Sequence, residues 1–213
     1  MTISRPKLYL SLAAIVILCI AVYVQGNYGH IFRGLAEGQQ GKRTLRVEDL
    51  HNLPELRVGD VVLREGIGDD SLVISQVTKS QFSHIGIVIN DNPIRIMHAT
   101  TNDDLDNPNQ VIISTLDHFV SYAYRIAVKR YPLSDESRLS ISDDAMNYVG
   151  REFVFSPESK DSLYCTTLLL KMLEPHTELD VSFSYLNIPF MAGNYLYPQS
   201  FLDDQNSTLI YQN

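Results

Sequence analysis

The feature that most constrains the fold is a pair of β-branched segments joined by a short turn. HIGIVIN at 84–90 and IRIMHAT at 94–100 are rich in isoleucine and alternate in a way that is typical of strands. The DNP sequence at 91–93 favours a tight turn between them. The two segments therefore predict an antiparallel hairpin. His84 opens its first strand and His98 stands near the end of its second, so both histidines are expected at the same end of the hairpin.

Further strands and helices are predicted around this hairpin. Strands are expected at VVLRE (61–65), VIIS (111–114) and YRIAVKRY (124–131). Helices are expected at 71–79, 134–149 and 162–173, and the tail, rich in tyrosine and proline, is expected to be irregular. This pattern predicts an α+β domain in which an antiparallel sheet packs against helices.

The N-terminal segment, residues 1–26, differs from the rest of the chain. Arg5 and Lys7 precede an uncharged apolar run at 8–24. A helix of this length is roughly 25 Å long, close to the bilayer core of about 30 Å. A transmembrane anchor is favoured because the apolar run continues past the nearest small-residue cleavage motif. A cleaved signal peptide and a buried core helix remain alternatives.

The basic residues before the apolar run favour a cytoplasmic N-terminus. The protein is thus expected to be anchored in the inner membrane with a periplasmic or otherwise extracytoplasmic domain, or to be secreted if the signal is cleaved. Residues 27–54 are interpreted as a linker that is rich in glycine and glutamine at its start. Residues 55–213 are expected to form a single catalytic domain.

Composition excludes several classes of function. The 213 residues carry a formal charge of −8, so an acidic surface makes a nucleic acid an unsuitable partner. Two cysteines are too few for a disulfide framework or a cysteine-rich zinc site. No cofactor or metal is expected, since the remaining histidines lack metal-ligand spacing; they are His30, His51, His118 and His176. The oligomeric state is not predicted.

The acidic loop TNDDLDNPN at 101–109 resembles a calcium-binding loop only faintly. Asp103, Asp104 and Asp106 lack the glycine and the closing glutamate of an EF-hand. A solvated turn is therefore the favoured interpretation of these three aspartates.

Cys165 is the one cysteine of the predicted domain, and it stands near the start of the 162–173 helix. The partial positive charge of a helix N-terminus favours a thiolate. A nucleophilic thiol needs a base, and the base needs a third group that fixes its tautomer. His84 and His98 are candidates for these two roles. The alternative is that Cys165 is an inert apolar residue of the core.

Three motifs extend this constellation into a family resemblance. GDVV (59–62), SHIGIVI (83–89) and IMHAT (96–100) resemble, in order, the Gly-Asp, Ser-His and His-Ala strands of NlpC/P60 cysteine peptidases. In most of that family the cysteine precedes these strands, whereas LYCTTLL (163–169) follows them here. The order is similar to that of the circularly permuted branch, the YiiX/YaeF-like proteins of bacteria. The resemblance spans about 55–202 and implies a permuted papain-like fold.

The resemblance also implies roles for individual residues. Cys165 matches the nucleophile, His84 the base and His98 the third, polar position, although permuted relatives often have glutamate there. A Cys165–His84 ion pair and an acyl-enzyme intermediate are implied. Gly59 and Asp60 match a structural motif. The backbone N–H of Cys165 is the first candidate for an oxyanion donor, with Tyr164 as a second, and Phe82 and Tyr185 are candidates for lining an acyl pocket.

Two substrate classes follow from the resemblance. The first is a cell-envelope amide such as a peptidoglycan stem peptide, which favours a cysteine peptidase or amidase. The second is a lipid acyl amide or ester, hydrolysed or transferred, because permuted members are also similar to lecithin retinol acyltransferase-like enzymes. The Asn-Cys-Glu-His signature of that group is absent here. A catalytically silent ligand-binding module is the alternative outside the enzyme class.

Overall fold

A central antiparallel sheet carries the histidine hairpin. The computed structural model describes residues 43–67, 71, 74, 75, 78, 80–188 and 191–213. The strands of the sheet are β1 (Val61–Gly66), β2 (His84–Asp91), β3 (Ile94–Thr100), β4 (Gln110–Thr115), β5 (Ala123–Arg130) and β8 (Thr208–Gln212). Their order across the sheet is β4-β3-β2-β1-β5-β8. Strands β6 (Ser184–Leu186) and β7 (Gly193–Tyr195) form a separate two-stranded sheet.

Short helices connect and cover these strands. A 3-10 helix, η1, spans Val47–Asp49, and the α-helices are α1 (Leu116–Ser121), α2 (Asp135–Ala145), α3 (Cys165–Leu173) and α4 (Pro198–Asp203). The described residues of the predicted 71–79 helix, which are 71, 74, 75 and 78, are helical. The predicted α+β architecture, with an antiparallel sheet and helices, is confirmed.

The sheet has two apolar faces because side chains alternate along each strand. On β2, Ile85 and Ile87 belong to the core that includes Leu168 and Leu169 of α3. Val88 of the same strand belongs to a second core, which contains Phe119 of α1 and residues beside η1. The helix that begins with Cys165 therefore packs on one face of the sheet, and α1 packs on the other.

The predicted hairpin is confirmed, since β2 and β3 pair antiparallel with Ile87 opposite Met97. The predicted helix boundaries need correction. The 162–173 helix begins only at Cys165, because Leu163 still pairs with Val154 in a β-bridge. The 134–149 helix has the expected Ser134 cap but ends at Ala145.

The prediction of an irregular tail is wrong for several segments, because β6, β7, α4 and β8 all lie within it. The strand β8 pairs antiparallel with β5 and forms an edge of the sheet. The side chain of Asn213 strengthens this edge, as its Oδ1 accepts a hydrogen bond from the backbone N–H of Ile126 at 2.8 Å.

The Gly59-Asp60 pair is a structural anchor at the start of β1. Gly59 has a φ of 89°, and a β-carbon there would overlap Leu133. The buried carboxylate of Asp60 accepts hydrogen bonds from Arg130 at 2.6 and 2.8 Å. It also accepts the backbone N–H of Arg57 at 2.8 Å, which fixes the turn before the strand.

Residues 1–42, which include the predicted anchor, lie outside the described residues. Within the predicted linker, the described residues pack on the domain: Leu50 is buried, and the N–H of Leu45 bonds to the carbonyl of Ala123 at 2.8 Å. Across the part of the chain that the structure describes, no helix is both long enough and apolar enough to cross a membrane.

Candidate active site

Cys165 and His84 are far apart in the sequence, but both line the same cavity. Its volume is about 320 Å³, and Tyr164 forms part of its wall. Cys165 is the first residue of α3, whereas His84 is the first residue of β2. The structure thus brings together the two residues predicted as nucleophile and base.

The backbone of Leu196 holds both neighbours of Cys165 in place. Its N–H donates to the hydroxyl oxygen of Tyr164 at 2.9 Å, and its carbonyl accepts from the hydroxyl of Thr166 at 2.8 Å. Leu168 and Leu169 anchor the rest of α3 in the core. Cys165 is therefore fixed at a helix N-terminus with 8% of its surface exposed, where the helix dipole favours a thiolate.

A chain of hydrogen bonds runs away from His84 through three further residues. The Nε2 atom of His84 lies 3.0 Å from Nδ1 of His98, and Nε2 of His98 lies 2.9 Å from Oγ of Ser114. Oγ of Ser114 lies in turn 3.2 Å from Nδ1 of His118. The chain crosses β2, β3 and β4 and ends on α1. Nε2 of His84 is engaged by His98, so Nδ1 is the ring nitrogen that can accept a thiol proton, and it does so in the tautomer whose hydrogen lies on Nε2.

Both buried histidines are held in the neutral state. Burial, followed by the charge of Arg64, lowers the pKa of His98 to about 3. Burial, then Arg64 and then His98, lowers the pKa of His84 well below its ordinary value. A neutral His84 suits a general base that takes the thiol proton during attack. This direction disagrees with the preformed Cys165–His84 ion pair expected from the resemblance.

Phe119 and Arg64 support the histidines from α1 and β1. The Phe119 ring centroid lies 5.9 Å from that of His84 and 5.1 Å from that of His98. The guanidinium of Arg64 lies over the Phe119 ring, 4.8 Å from its centroid, and donates to the Phe119 carbonyl at 3.2 Å.

Asp103 corrects the interpretation of the acidic loop. Its side chain is 4% exposed, and its Oδ2 accepts from Nη2 of Arg64 at 2.6 Å. Asp103 is therefore not in a solvated turn, because a buried guanidinium compensates its charge. The same Oδ2 lies 3.7 Å from Nδ1 of His98, which places the ion pair beside the histidines.

The remaining predicted site residues fall in three places. Tyr164 lines the cavity, and burial raises the pKa of its hydroxyl well above the ordinary value, so it keeps its proton. Phe82 is fully buried in the core, and Tyr185 is 67% exposed; neither is among the described residues that line this cavity. His118, interpreted from the sequence as a surface or packing residue, is half-buried and joins the histidine chain.

Sequence reasoning missed Arg64 and Ser114. A signal for Arg64 exists, since it is a charged residue at an otherwise apolar position of β1, directly opposite His84 in the strand register. Ser114 gives no such signal. Only the pairing of β3 with β4 brings its hydroxyl to His98.

Comparison with solved structures supports this fold. The crystal structure of the metalloprotein YiiX from Escherichia coli O157:H7 aligns with a TM-score of 0.63 and 20% sequence identity. The alignment covers 75% of this chain and 99% of that chain. No curated protein matches the sequence.

The donors near the cavity do not fit a divalent cation. Ligand-type atoms of His84, His98 and Asp103 lie within 4.8 Å of one another, which is the kind of cluster that holds a metal. However, the two histidines already bond to each other, and the Asp103 oxygen accepts from Arg64. The guanidinium charge beside these donors opposes a second cation. The set fits a hydrogen-bonded chain instead.

The sequence match agrees with the geometry. Residues 55–211 match the family described as permuted papain-like amidase enzyme, YaeF/YiiX, C92 family. This range contains the cysteine, both buried histidines and the six strands of the sheet except the last residue of β8. The chain therefore belongs to the permuted papain-like amidases of the YaeF/YiiX family.

Proposed function

We propose that this protein is a cysteine hydrolase that cleaves an amide of the cell envelope through Cys165, His84 and His98. The observation that carries the proposal is the shared cavity: a thiol at a helix N-terminus and an imidazole whose far nitrogen is already hydrogen-bonded face the same space. A thiol, a base and a group that orients the base are the parts that covalent acyl transfer requires.

Acylation begins with proton transfer from the Cys165 thiol to Nδ1 of His84. The sulfur attacks the acyl carbonyl, so a carbon–sulfur bond forms and the carbonyl electrons move to oxygen. When this oxyanion collapses, the carbon–nitrogen bond breaks and the leaving amine takes the proton from His84. The product is a thioester on Cys165 and a free amine.

Deacylation repeats the same proton path with water. His84 takes a proton from water while the water oxygen attacks the thioester carbonyl. The carbon–sulfur bond then breaks. The proton returns to the sulfur, and the carboxylic acid leaves. His98 stays neutral throughout and holds the far nitrogen of His84.

The backbone N–H of Cys165 and the hydroxyl of Tyr164 are the proposed oxyanion donors. Tyr164 keeps its proton because burial raises its pKa, and its oxygen is held by the N–H of Leu196 at 2.9 Å. Donors fixed in this way need no reorganisation as charge develops, which is what an oxyanion hole requires.

The substrate class is proposed from location and from the cavity wall. An exported domain on an N-terminal anchor would reach a peptidoglycan stem peptide directly. The wall favours a second candidate, an apolar acyl group of a lipid amide or ester, since the charged pair among its described residues, Arg64 and Asp103, is mutually compensated. Apolar side chains form much of the rest: Ile67, Ala99, Tyr122, Phe153, Phe155, Leu196 and Tyr197.

The test measures the alkylation rate of Cys165 by iodoacetamide against pH in the full-length protein with Cys19→Ser, so that Cys165 is the one thiol present, and intact mass is the readout. Cys165→Ala should not be alkylated at this site, and His84→Ala should react about 100-fold more slowly near pH 7. Equal rates in wild type and His84→Ala, rising only near the ordinary cysteine pKa of about 8.5, would indicate a silent binding module instead.

The same readout distinguishes the two substrate classes. Full-length protein is incubated with peptidoglycan stem peptides or with long-chain N-acyl amides, and the mass added to Cys165 is measured. A fatty acyl adduct favours the lipid candidate, whereas a peptidyl adduct favours the envelope peptide. Cys165→Ala is the control for adducts at other residues.

A further inference from the structure

We propose that Ser114 and His118 are positioning residues that orient the hydrogen-bond chain so that Nδ1 of His84 keeps its lone pair. The inference rests on the proposed function and extends it, because it adds two residues beyond the predicted triad. It is carried by the continuity of the chain from His84 through His98 and Ser114 to His118.

The hydrogens of this hydrogen-bond chain can be arranged in two ways. In the first, Nε2–H of His84 donates to His98, Nε2–H of His98 donates to Ser114, and the Ser114 hydroxyl donates to Nδ1 of His118. In the second, every proton moves to the other side of its hydrogen bond. Neutral imidazole carries one N–H, so the first arrangement leaves Nδ1 of His84 as an acceptor and the second makes it a donor. Only the first arrangement can accept the thiol proton.

The far end of the chain favours the first arrangement, whereas the carboxylate of Asp103, whose Oδ2 lies 3.7 Å from Nδ1 of His98, favours the second. When Nδ1 of His118 is unprotonated, it gives the Ser114 hydroxyl an acceptor, and the hydroxyl oxygen is then oriented to accept from His98. The side chain of Ser114 is buried, and these are its hydrogen bonds in the structure. Loss of either residue removes this preference without touching Cys165 or His84.

The backbone of His118 is fixed at the start of α1, and its ring lies beside Tyr122. Its backbone N–H donates to Oγ1 of Thr115 at 3.1 Å at the start of α1, and its carbonyl accepts from Ser121 at 2.8 Å. Its ring lies 5.3 Å from the ring of Tyr122. It also lines a second, more open depression of about 530 Å³ with Asp104, so the chain joins the catalytic cavity to a second surface.

The experiment compares Ser114→Ala and His118→Leu with matched variants in the full-length protein with Cys19→Ser. Ser114→Thr keeps the hydroxyl, and His118→Asn keeps an acceptor near the position of Nδ1. Iodoacetamide alkylation of Cys165 is measured at pH 7 and above pH 9.5. We expect Ser114→Ala and His118→Leu to react about threefold to tenfold more slowly at pH 7, the effect of one lost hydrogen bond. Above pH 9.5 all rates should converge, since the thiolate then forms without a base.

Nitrogen-15 chemical shifts of the imidazoles give a readout that a merely structural role would not move. In wild type and His118→Asn, Nδ1 of His84 should have the shift of an unprotonated nitrogen, and in His118→Leu it should move toward the protonated value. The exposed His51 provides the control variant His51→Ala, which should match wild type.

The outcomes separate this inference from the proposed function. Suppose that Cys165 is alkylated slowly in His84→Ala but at the wild-type rate in His118→Leu at pH 7. This result would overturn the inference and leave the proposed function standing. A His84→Ala that reacts like wild type would overturn the function itself. If Ser114→Ala fails to fold, the comparison of His118→Leu with His118→Asn decides the question alone, because His118 is only half-buried.

Discussion

The two walls of the cavity are built by different physical means. On the cysteine side, α3 is anchored by apolar burial of Leu168 and Leu169, and the hydrogen bonds at its start include those to the backbone of Leu196 and those between Tyr164 and Thr167. On the histidine side, side chains from β1, β2, β3, β4 and α1 form a buried polar network. The nucleophile is thus positioned by packing, and the base is positioned by hydrogen bonds and charge.

This difference predicts different sensitivities. Apolar burial varies little with pH, whereas buried neutral histidines and a buried ion pair respond to protonation and to the loss of one partner. Substitutions on the histidine side should therefore act through charge and pH, and those on the cysteine side through packing alone.

The largest expected effect on stability comes from Arg64→Met. This substitution leaves the carboxylate of Asp103 buried beside the histidines without its partner at 2.6 Å. Breaking such a pair should lower the free energy of unfolding by about 3–5 kcal/mol, measured by urea denaturation at pH 7. The double variant Arg64→Met/Asp103→Leu should recover much of the loss. A single variant as stable as wild type would show that the pair contributes nothing.

The matched change on the cysteine side is Leu169→Ala, which truncates a fully buried side chain of α3. The cavity it leaves should lower the free energy of unfolding by about 3 kcal/mol. The loss should be the same at pH 7 and pH 5, because no titratable group is removed. A loss that changes with pH would mean that α3 packing is coupled to the histidine network, against the division proposed between the two walls.

At pH 7 a smaller effect is expected from His98→Asn, because its contribution lies in the slope of stability against pH. The folded-state pKa of His98 is about 3 and the ordinary value is 6.5, so the unfolded chain binds a proton in this interval and the folded protein does not. The stabilisation that comes from keeping His98 neutral is therefore fully present above pH 6.5. It is lost as the pH drops toward 3, by roughly 1.4 kcal/mol per pH unit at most for one histidine.

His98→Asn should remove that share of the slope, while the fall that comes from the lowered pKa of His84 remains. Urea denaturation at several pH values between 4 and 7 measures the change, and the exposed-site variant His51→Asn is the control. An unchanged slope in His98→Asn would show that His98 titrates in the folded protein much as it does in the unfolded chain.

The fold could largely be predicted from the sequence because its strands have strong local signals. The β2–β3 hairpin is specified by isoleucine-rich alternation and a DNP turn, and the helix at Cys165 by its apolar face. The strand β8 escaped prediction, since TLIYQ is short and takes its partner from distant β5. Local pattern cannot report such pairing.

The site was predictable to the extent that its chemistry lies in rare residue types. The cysteine of the domain and the two histidines of the hairpin could be singled out. The structure brings Cys165 and His84 to one cavity. Asp103 could not be recognised, because its loop has the composition of a solvated turn and only a distant arginine makes its burial possible. A single sequence can single out one member of such a network, as it does for Arg64, but it does not show which distant residues that member contacts.

The smallest expected effect is that of a chelator. The donors of His84, His98 and Asp103 are used by one another and by Arg64, so no resident cation is needed to hold them. Incubation with EDTA, followed by its removal, should leave the alkylation rate of Cys165 and the melting temperature unchanged. Added zinc should bind only by displacing the His84–His98 hydrogen bond, and it would then slow alkylation by taking Nε2 of the base. If EDTA lowered the melting temperature and zinc restored it, the cluster would be a metal site, and the histidine wall would be organised by a cation rather than by the chain of hydrogen bonds.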